Sequence, residues 1–354
     1  MAMESSSEFI RDHKWEIIIT FIIGAFLIFI ISFAVGLNNI LEVLSHSNLN
    51  IIYLTIVLEL LLIAAWTLRW SLILDVVDHS PGFKKLFLMM FSSLFGNNVT
   101  PGAAGGEPLR AYLVNKLEGV PFDLAFVSAS ADRVFEFFPF LMVSLFAIYL
   151  ISTWNIPLWS AIIISVLILV TMVFFGLLIY VGINKEIAGK IVIPIARYIF
   201  PFFKKLTKKE VTFSYVTERI LYYVERFSTG FLTVLQNHKM FTLGLTISIG
   251  MWLIDMVRMY LCFVAVGSYP PFIPMVIIYS IGLLITILPT IPGALGLREG
   301  VMIGLFLIVG VPADIVLAAS LIDRLVSYLM PTVIGAIVTV YYGKILKTKE
   351  SESI

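Results

Sequence analysis

The sequence predicts an all-α polytopic membrane protein: six transmembrane helices plus two helical hairpins broken by Pro-Gly sequence, arranged as an inverted-topology internal repeat. Three observations predict it. Of 354 residues, 60% are hydrophobic and only 13% charged, with a mean hydropathy of +1.00, whereas soluble domains carry about 25% charged residues. Six apolar runs each reach the roughly 20 residues that an α-helix needs to cross a bilayer. A segment of 33 residues also recurs, without a gap, 191 positions further on.

The polar start MAMESSSEFIRDHKWE leads into an apolar run over 17–36. That run is too long for a signal-peptide core and lacks a small-residue cleavage site, so a retained span is expected. Further spans are expected at 49–74, 122–150, 157–182, 240–266 and 313–342. The stretches 86–115 and 272–311 are interrupted by Pro and Gly, and each is expected to fold as a hairpin of two short helices. The basic loop 183–239 is expected to be cytoplasmic and to contain an amphipathic helix, its charge serving topology more than contact with anionic lipid. The chain is thus one membrane domain, 1–354, with repeat halves at about 49–150 and 240–342.

With the N-terminus in the cytoplasm, 18 of the 24 Lys and Arg fall on that side, whereas the outer loops near 37–48, 151–156 and 267–271 carry none. This satisfies the positive-inside rule if each hairpin returns to the side it entered from, and it puts both termini in the cytoplasm. The six remaining basic residues are all arginine: Arg69, Arg110, Arg133, Arg258, Arg298 and Arg324. Seven acids accompany them in the apolar segments: Glu59, Glu107, Asp132, Glu136, Asp255, Glu299 and Asp323. A charge at membrane depth costs several kcal/mol on most scales, so these residues should face the protein interior or a watery cavity and pair with one another. Structural pairing is one reading. The other is anion recognition, because a guanidinium grips phosphate or carboxylate with two parallel hydrogen bonds.

In the repeat, 101–133 aligns on 292–324 with ten identities in 33, including Pro101/Pro292, Gly102/Gly293, Gly105/Gly296, Asp132/Asp323 and Arg133/Arg324. Upstream, Arg69 matches Arg258 at an offset of 189. On the charge-based topology the two halves run in opposite directions, the pattern of transporters that work by alternating access. Pro101 and Pro292 are expected to stop the incoming half helices. The glycines, Gly102, Gly105, Gly106, Gly293 and Gly296, are expected to allow a tight turn whose backbone N–H groups point at an anion. Asp132 and Asp323 each lie 11 residues after a proline, Pro121 and Pro312, and so roughly 15 to 17 Å into their helices.

The strings GNNVTPGAAGGEPLRAYLV, ADRVFEF, LPTIPGALGLREG and IDR resemble the family defined by the transmembrane flippase region of lysylphosphatidylglycerol synthases, over about 15–342. The resemblance implies a multi-pass plasma-membrane protein that handles a lipid with a polar headgroup. Carried over by motif, the positions of interest are Thr100 through Gly102, Gly105, Gly106, Glu107, Arg110, Asp132 and Arg133, then Pro292, Gly293, Gly296, Arg298, Glu299, Asp323 and Arg324. The synthases carry a soluble aminoacyl-transferase domain after the membrane part, whereas this sequence finishes at KILKTKESESI. A member without that domain is expected not to make lysyl-lipid itself. Glu107 and Arg110 in the first hairpin face Arg298 and Glu299 in the second, so equal work by the two hairpins does not follow from sequence.

All four histidines lie in predicted loops or at span ends, and the single Cys262 sits in an apolar run. No metal site, catalytic residue or cofactor is therefore expected, and no nucleotide-binding or nucleophile-elbow motif is present. The net charge of +1 gives no reason to expect nucleic acid. The tryptophans mostly suit interfacial belts and are assigned no chemistry. The expected function is translocation of membrane lipids with an anionic headgroup. Arg110, Arg298, Glu107, Glu299 and the hairpin glycines would bind substrate. Asp132/Arg133, Asp323/Arg324, Asp255/Arg258, Arg69 and Glu59 would form coupling or gating pairs. The alternatives are a membrane enzyme or enzyme subunit of polyprenyl-phosphate sugar or aminoacyl-lipid metabolism, and a partner of a separate lipid-modifying synthase or glycosyltransferase. Oligomeric state is not readable from the sequence.

Overall fold

A computed structural model describes residues 29–30, 32–100, 105–151, 158–207, 213–287 and 294–352, and among them every regular element is helical. A short helix, α1 (Leu37–Ser45), precedes α2 (Leu49–Val77). The first hairpin is α3 (Phe83–Val99) and α4 (Gly106–Glu118). Then come α5 (Phe122–Ile151), α6 (Leu158–Ile183), α7 (Lys185–Thr207), α8 (Phe213–Gln236) and α9 (His238–Ala265). The second hairpin is α10 (Phe272–Ile287) and α11 (Leu297–Ile308). The chain ends in α12 (Ala313–Arg324), a π turn (Leu325–Leu329) and α13 (Met330–Glu352).

Among the described residues, three helices are long and apolar enough to cross a bilayer: α2, α9 and the continuous Ala313–Leu346. At 30 and 26 residues, α5 and α6 also exceed the roughly 20 that a crossing needs. The hairpin legs are shorter, 17 and 13 residues in the first and 16 and 12 in the second, as their Pro-Gly interruptions predict. The expected span at 17–36 lies mostly outside the described residues. Where an outer loop was expected, 37–48 contains α1. Its Leu37, Ile40, Leu41 and Leu44 recur at the spacing of one helix face, and Ile40 is buried.

The helices are built for lipid rather than water. On α2 the buried positions include Thr55, Glu59, Thr67 and Arg69, while Leu54, Val57, Leu60, Leu61 and Leu68 are exposed. A bilayer solvates the leucines, so the interior takes the polar groups that hydrocarbon would not.

At the centre, α2 and α9 pack antiparallel. Asn48 N donates to Ala265 O at 2.8 Å, Glu59 lies 3.2 Å from Arg258, and Arg69 Nη1 donates to Ser248 Oγ at 2.7 Å. Arg69 thus meets the residue ten before Arg258, and Arg258 meets the residue ten before Arg69. Ten residues rise about 15 Å along a helix, which sets the distance between the two arginine levels.

Gly106 shows why the first hairpin needs glycine. A Cβ there would lie 2.4 Å from Ser93 O and 2.5 Å from Asn97 Oδ1, so any side chain would push α4 off α3.

Candidate functional site: a polar cavity between two arginine–carboxylate clusters

Each half centres on a fully buried aspartate. Asp132 on α5 accepts from Arg69 Nε at 2.6 Å, Arg110 Nη1 at 2.9 Å and Trp66 Nε1 at 2.6 Å. Asp323 on α12 accepts from Arg298 Nη2 at 2.6 Å and from Arg258 Nη1. The next residue pairs back to the hairpin in both halves: Arg133 with Glu107 at 2.7 Å and Arg324 with Glu299 at 2.6 Å. The carboxylates offset the several kcal/mol that each buried guanidinium would otherwise cost.

The two hairpins therefore make equivalent ion pairs although their sequences list the charges in opposite order. Glu107 precedes Arg110, whereas Glu299 follows Arg298. The gapless alignment sets Glu107 against Arg298, yet in space Glu107 corresponds to Glu299 and Arg110 to Arg298. The equivalence extends to aromatic rings. Arg110 lies 4.8 Å from the centre of the Trp70 ring, and Arg298 lies 5.0 Å from that of Tyr279.

Between the clusters lies a cavity of about 290 Å³, near the lower end of the volumes that hold small ligands. Arg69, Arg133, Arg258, Arg298 and Arg324 line it, with the acids Glu59, Glu136 and Asp255. Asp132, Asp323, Glu107 and Glu299 do not line it, nor does Arg110. Each of these acids grips a guanidinium from outside the cavity wall. As a result Arg69 Nη2, Arg298 Nε, Arg324 Nη2 and Trp252 Nε1, all on cavity-lining residues, are buried with no hydrogen-bond partner among the described residues. A buried donor left unmade costs roughly 1–3 kcal/mol. Four of them around one polar space are what an anion would satisfy.

Of the expected gating residues, Glu59, Arg69, Arg133, Asp255, Arg258 and Arg324 line the cavity, and Asp132 and Asp323 lie behind its wall. Glu59 and Asp255 both pair with Arg258, Asp255 at 2.5 Å, and Tyr279 Oη accepts from the same guanidinium at 3.0 Å. Of the expected substrate-binding residues, Arg298 lines the cavity. Arg110 is fully buried behind Asp132 and also donates to Ala129 O at 2.8 Å. The described hairpin glycines have their N–H groups engaged within the protein. Gly105 N donates to Thr100 Oγ1 at 2.9 Å, Gly106 N to Asn97 Oδ1 at 2.7 Å and Gly296 N to Glu299 Oε2 at 2.7 Å. Gly102 and Gly293 lie outside the described residues.

The interfacial assignment of tryptophans is corrected at three positions. Trp66 and Trp70 are buried, donating to Asp132 and to Ser128 Oγ, the latter at 3.1 Å, and Trp252 lines the cavity. The spacing carried a signal: Trp66 and Trp70 are three and four residues from buried charges or from each other along α2, on the face that holds Arg69. The cavity roles of Glu136, Tyr279 and Trp252 were not assigned from sequence, since nothing local marks which helix faces meet.

The fold and this site define a polytopic α-helical membrane protein with a buried arginine–carboxylate network around a polar cavity. Comparison with known proteins identifies its family. The model of the lysylphosphatidylglycerol synthase TM region matches residues 17–335, and the chain belongs to that family. It is 46% identical over 346 residues to a UPF0104 membrane protein of Methanothermobacter thermautotrophicus, covering 97% of this chain and 99% of that one. A UPF0104 membrane protein of Methanocaldococcus jannaschii is 30% identical, with 90% of this chain and 93% of the relative covered.

Proposed function

We propose that this protein translocates lipids with an anionic, phosphate-containing headgroup across the plasma membrane, the N- and C-termini being cytoplasmic. The observation that carries the reading is the set of unpaired donors on Arg69, Arg298, Arg324 and Trp252 around one membrane-embedded cavity. A phosphate oxygen accepts such donors, and guanidinium suits it better than ammonium does. The cavity holds a headgroup and no acyl chains, which stay in lipid outside the helices.

Alternating access follows from the same frame. The halves form an inverted repeat in which α2 and α9 exchange contacts, Arg69 with Ser248 and Arg258 with Glu59. Rocking one half against the other breaks and remakes these pairs, so Glu59, Arg69, Asp255 and Arg258 act as coupling residues. Asp132/Arg133 and Asp323/Arg324 tie each hairpin to its scaffold helix.

The test is headgroup translocation in proteoliposomes, with a panel of trapped phospholipids and polyprenyl phosphates. Transfer above protein-free vesicles, abolished by Arg298→Ala with folding intact, supports the reading. Product formation from lipid in detergent, or no transfer across the panel, points to the enzyme or enzyme-subunit reading instead.

A further inference from the structure

The charges around the cavity do not balance, and the imbalance is local. The elements common to both halves are six arginines and four acids: Arg69/Arg258, Arg110/Arg298, Arg133/Arg324, Asp132/Asp323 and Glu107/Glu299. Three more acids, Glu59, Glu136 and Asp255, have no acidic counterpart in the other half, and all three line the cavity. Fully ionised, the network holds seven carboxylates against six guanidinium groups, a net charge of −1. That is a poor receptor for a further anion in a medium where each unpaired charge costs several kcal/mol.

The surplus charge has an address. Glu59 and Asp255 both pair with Arg258. Glu136 is the one acid of the seven without an ion pair among the described residues, and its buried Oε2 has no hydrogen-bond partner. It follows Asp132 by four residues on α5, the spacing that sets two carboxylates on one helix face, where like charges repel. Its charged neighbours are committed elsewhere: Arg69 of α2 to Asp132, and Arg133 of α5 to Glu107 of α4. The rest of the cavity wall presents Asp255 and Arg258 from α9, Tyr279 from α10, Arg298 from α11, Arg324 from α12 and Tyr328 from the π turn. Among these, Arg258 is held by three acids, Arg298 by Asp323 and Arg324 by Glu299. At the position matching Glu136 in the second half stands Ser327, whose hydroxyl donates to Asp323 O at 2.9 Å. A neutral donor meets the needs of that site, and Glu136 resembles it once it carries a proton.

We infer that Glu136 is the proton site of this protein: the headgroup anion and one proton on Glu136 enter and leave the cavity together. This rests on the proposed translocation and adds its coupling ion. The linkage is reciprocal. An anion beside Glu136 raises its affinity for a proton, and a proton on Glu136 raises the affinity for the anion by the same factor.

The test uses the full-length protein in detergent and a short-chain phosphatidylglycerol as probe, with binding followed by calorimetry from about pH 5 to about pH 9 in buffers of differing ionisation enthalpy. Wild type should lose up to about tenfold in affinity per pH unit over the range where the free protein sheds the proton, and should take up close to one proton per probe bound there. Glu136→Gln, fixed in the neutral form, should bind at every pH with no proton uptake, and Glu136→Asp should keep the pH slope. A slope or proton uptake unchanged in Glu136→Gln, or none in wild type, overturns the proton site while leaving translocation standing. Absence of probe binding by wild type at any pH overturns both.

Discussion

The two buried clusters differ in how their aspartates are insured, and the difference separates scaffold from moving part. Among the described residues Asp132 is the sole carboxylate on both Arg69 and Arg110, their other hydrogen-bond acceptors being Ser248 Oγ for Arg69, and Ala129 O and Met90 Sδ for Arg110. Arg258 in the other cluster contacts Asp323, Glu59 and Asp255 together. The first cluster is a fixed anchor. In the second, one guanidinium has three competing carboxylates, two of them on the cavity wall, the arrangement that the proposed exchange of pairs would need.

The sharpest way to break this comparison is to delete each aspartate. Asp132→Ala leaves Arg110 buried with no carboxylate, a loss of about 3–5 kcal/mol in the range of broken buried pairs. It is expected to abolish folding or lower the thermal midpoint more than any other single change here. Asp323→Ala is expected to be milder, because it strips only Arg298 of its carboxylate while Arg258 keeps Glu59 and Asp255, whereas Asp132→Ala strips both Arg69 and Arg110. Thermal unfolding of the two variants in detergent checks the order, and equal losses would sink the distinction.

Next comes the arginine pair. Arg298→Ala opens the cavity wall and is expected to cut headgroup binding by about tenfold or more, the weight of one charge-assisted hydrogen bond. Arg110→Ala, behind the wall, should cost stability and spare binding in the protein that remains folded. Equal loss of binding in both, measured on folded protein, would mean that the cavity boundary is drawn in the wrong place.

The hairpin turns allow a finer test. Gly106→Ala must move α4, since its Cβ would meet Ser93 O and Asn97 Oδ1, and should destabilise by about 1–3 kcal/mol. Gly296→Ala strains a backbone at φ 83°, for a cost of about 1–2 kcal/mol. Unfolding midpoints rank the two.

The smallest effect belongs to the exposed pair Lys185–Glu225, 2.6 Å apart with side chains 59% and 58% exposed. The Lys185 hydrogen bond holds the Glu225 carboxyl below its usual pKa. Whatever the pair contributes is present at neutral pH and fades as acid protonates Glu225. Water screens it, so Lys185→Ala should leave the midpoint unchanged within error at neutral and acid pH.

Much of this protein was legible in its sequence because the bilayer is a demanding solvent. It forces long apolar helices, punishes stray charge and rewards cytoplasmic lysine, so the spans at 49–74, 122–150, 157–182, 240–266 and 313–342, the broken hairpins and the buried arginines all announce themselves. What tertiary structure alone decided was which partner each charge found. Glu107 and Glu299 sit on opposite sides of their arginines in sequence and in the same role in space, because a helix turn can bring either neighbour to the same face. Trp66 donates to Asp132, and Glu136 faces the cavity with no ion pair among the described residues, through the rotation of α2, α5 and α9 about their axes. Hydropathy registers how apolar a segment is and is blind to that rotation. Packing sets it, and with it the division of six arginines into those buried behind the cavity wall and those that line the cavity.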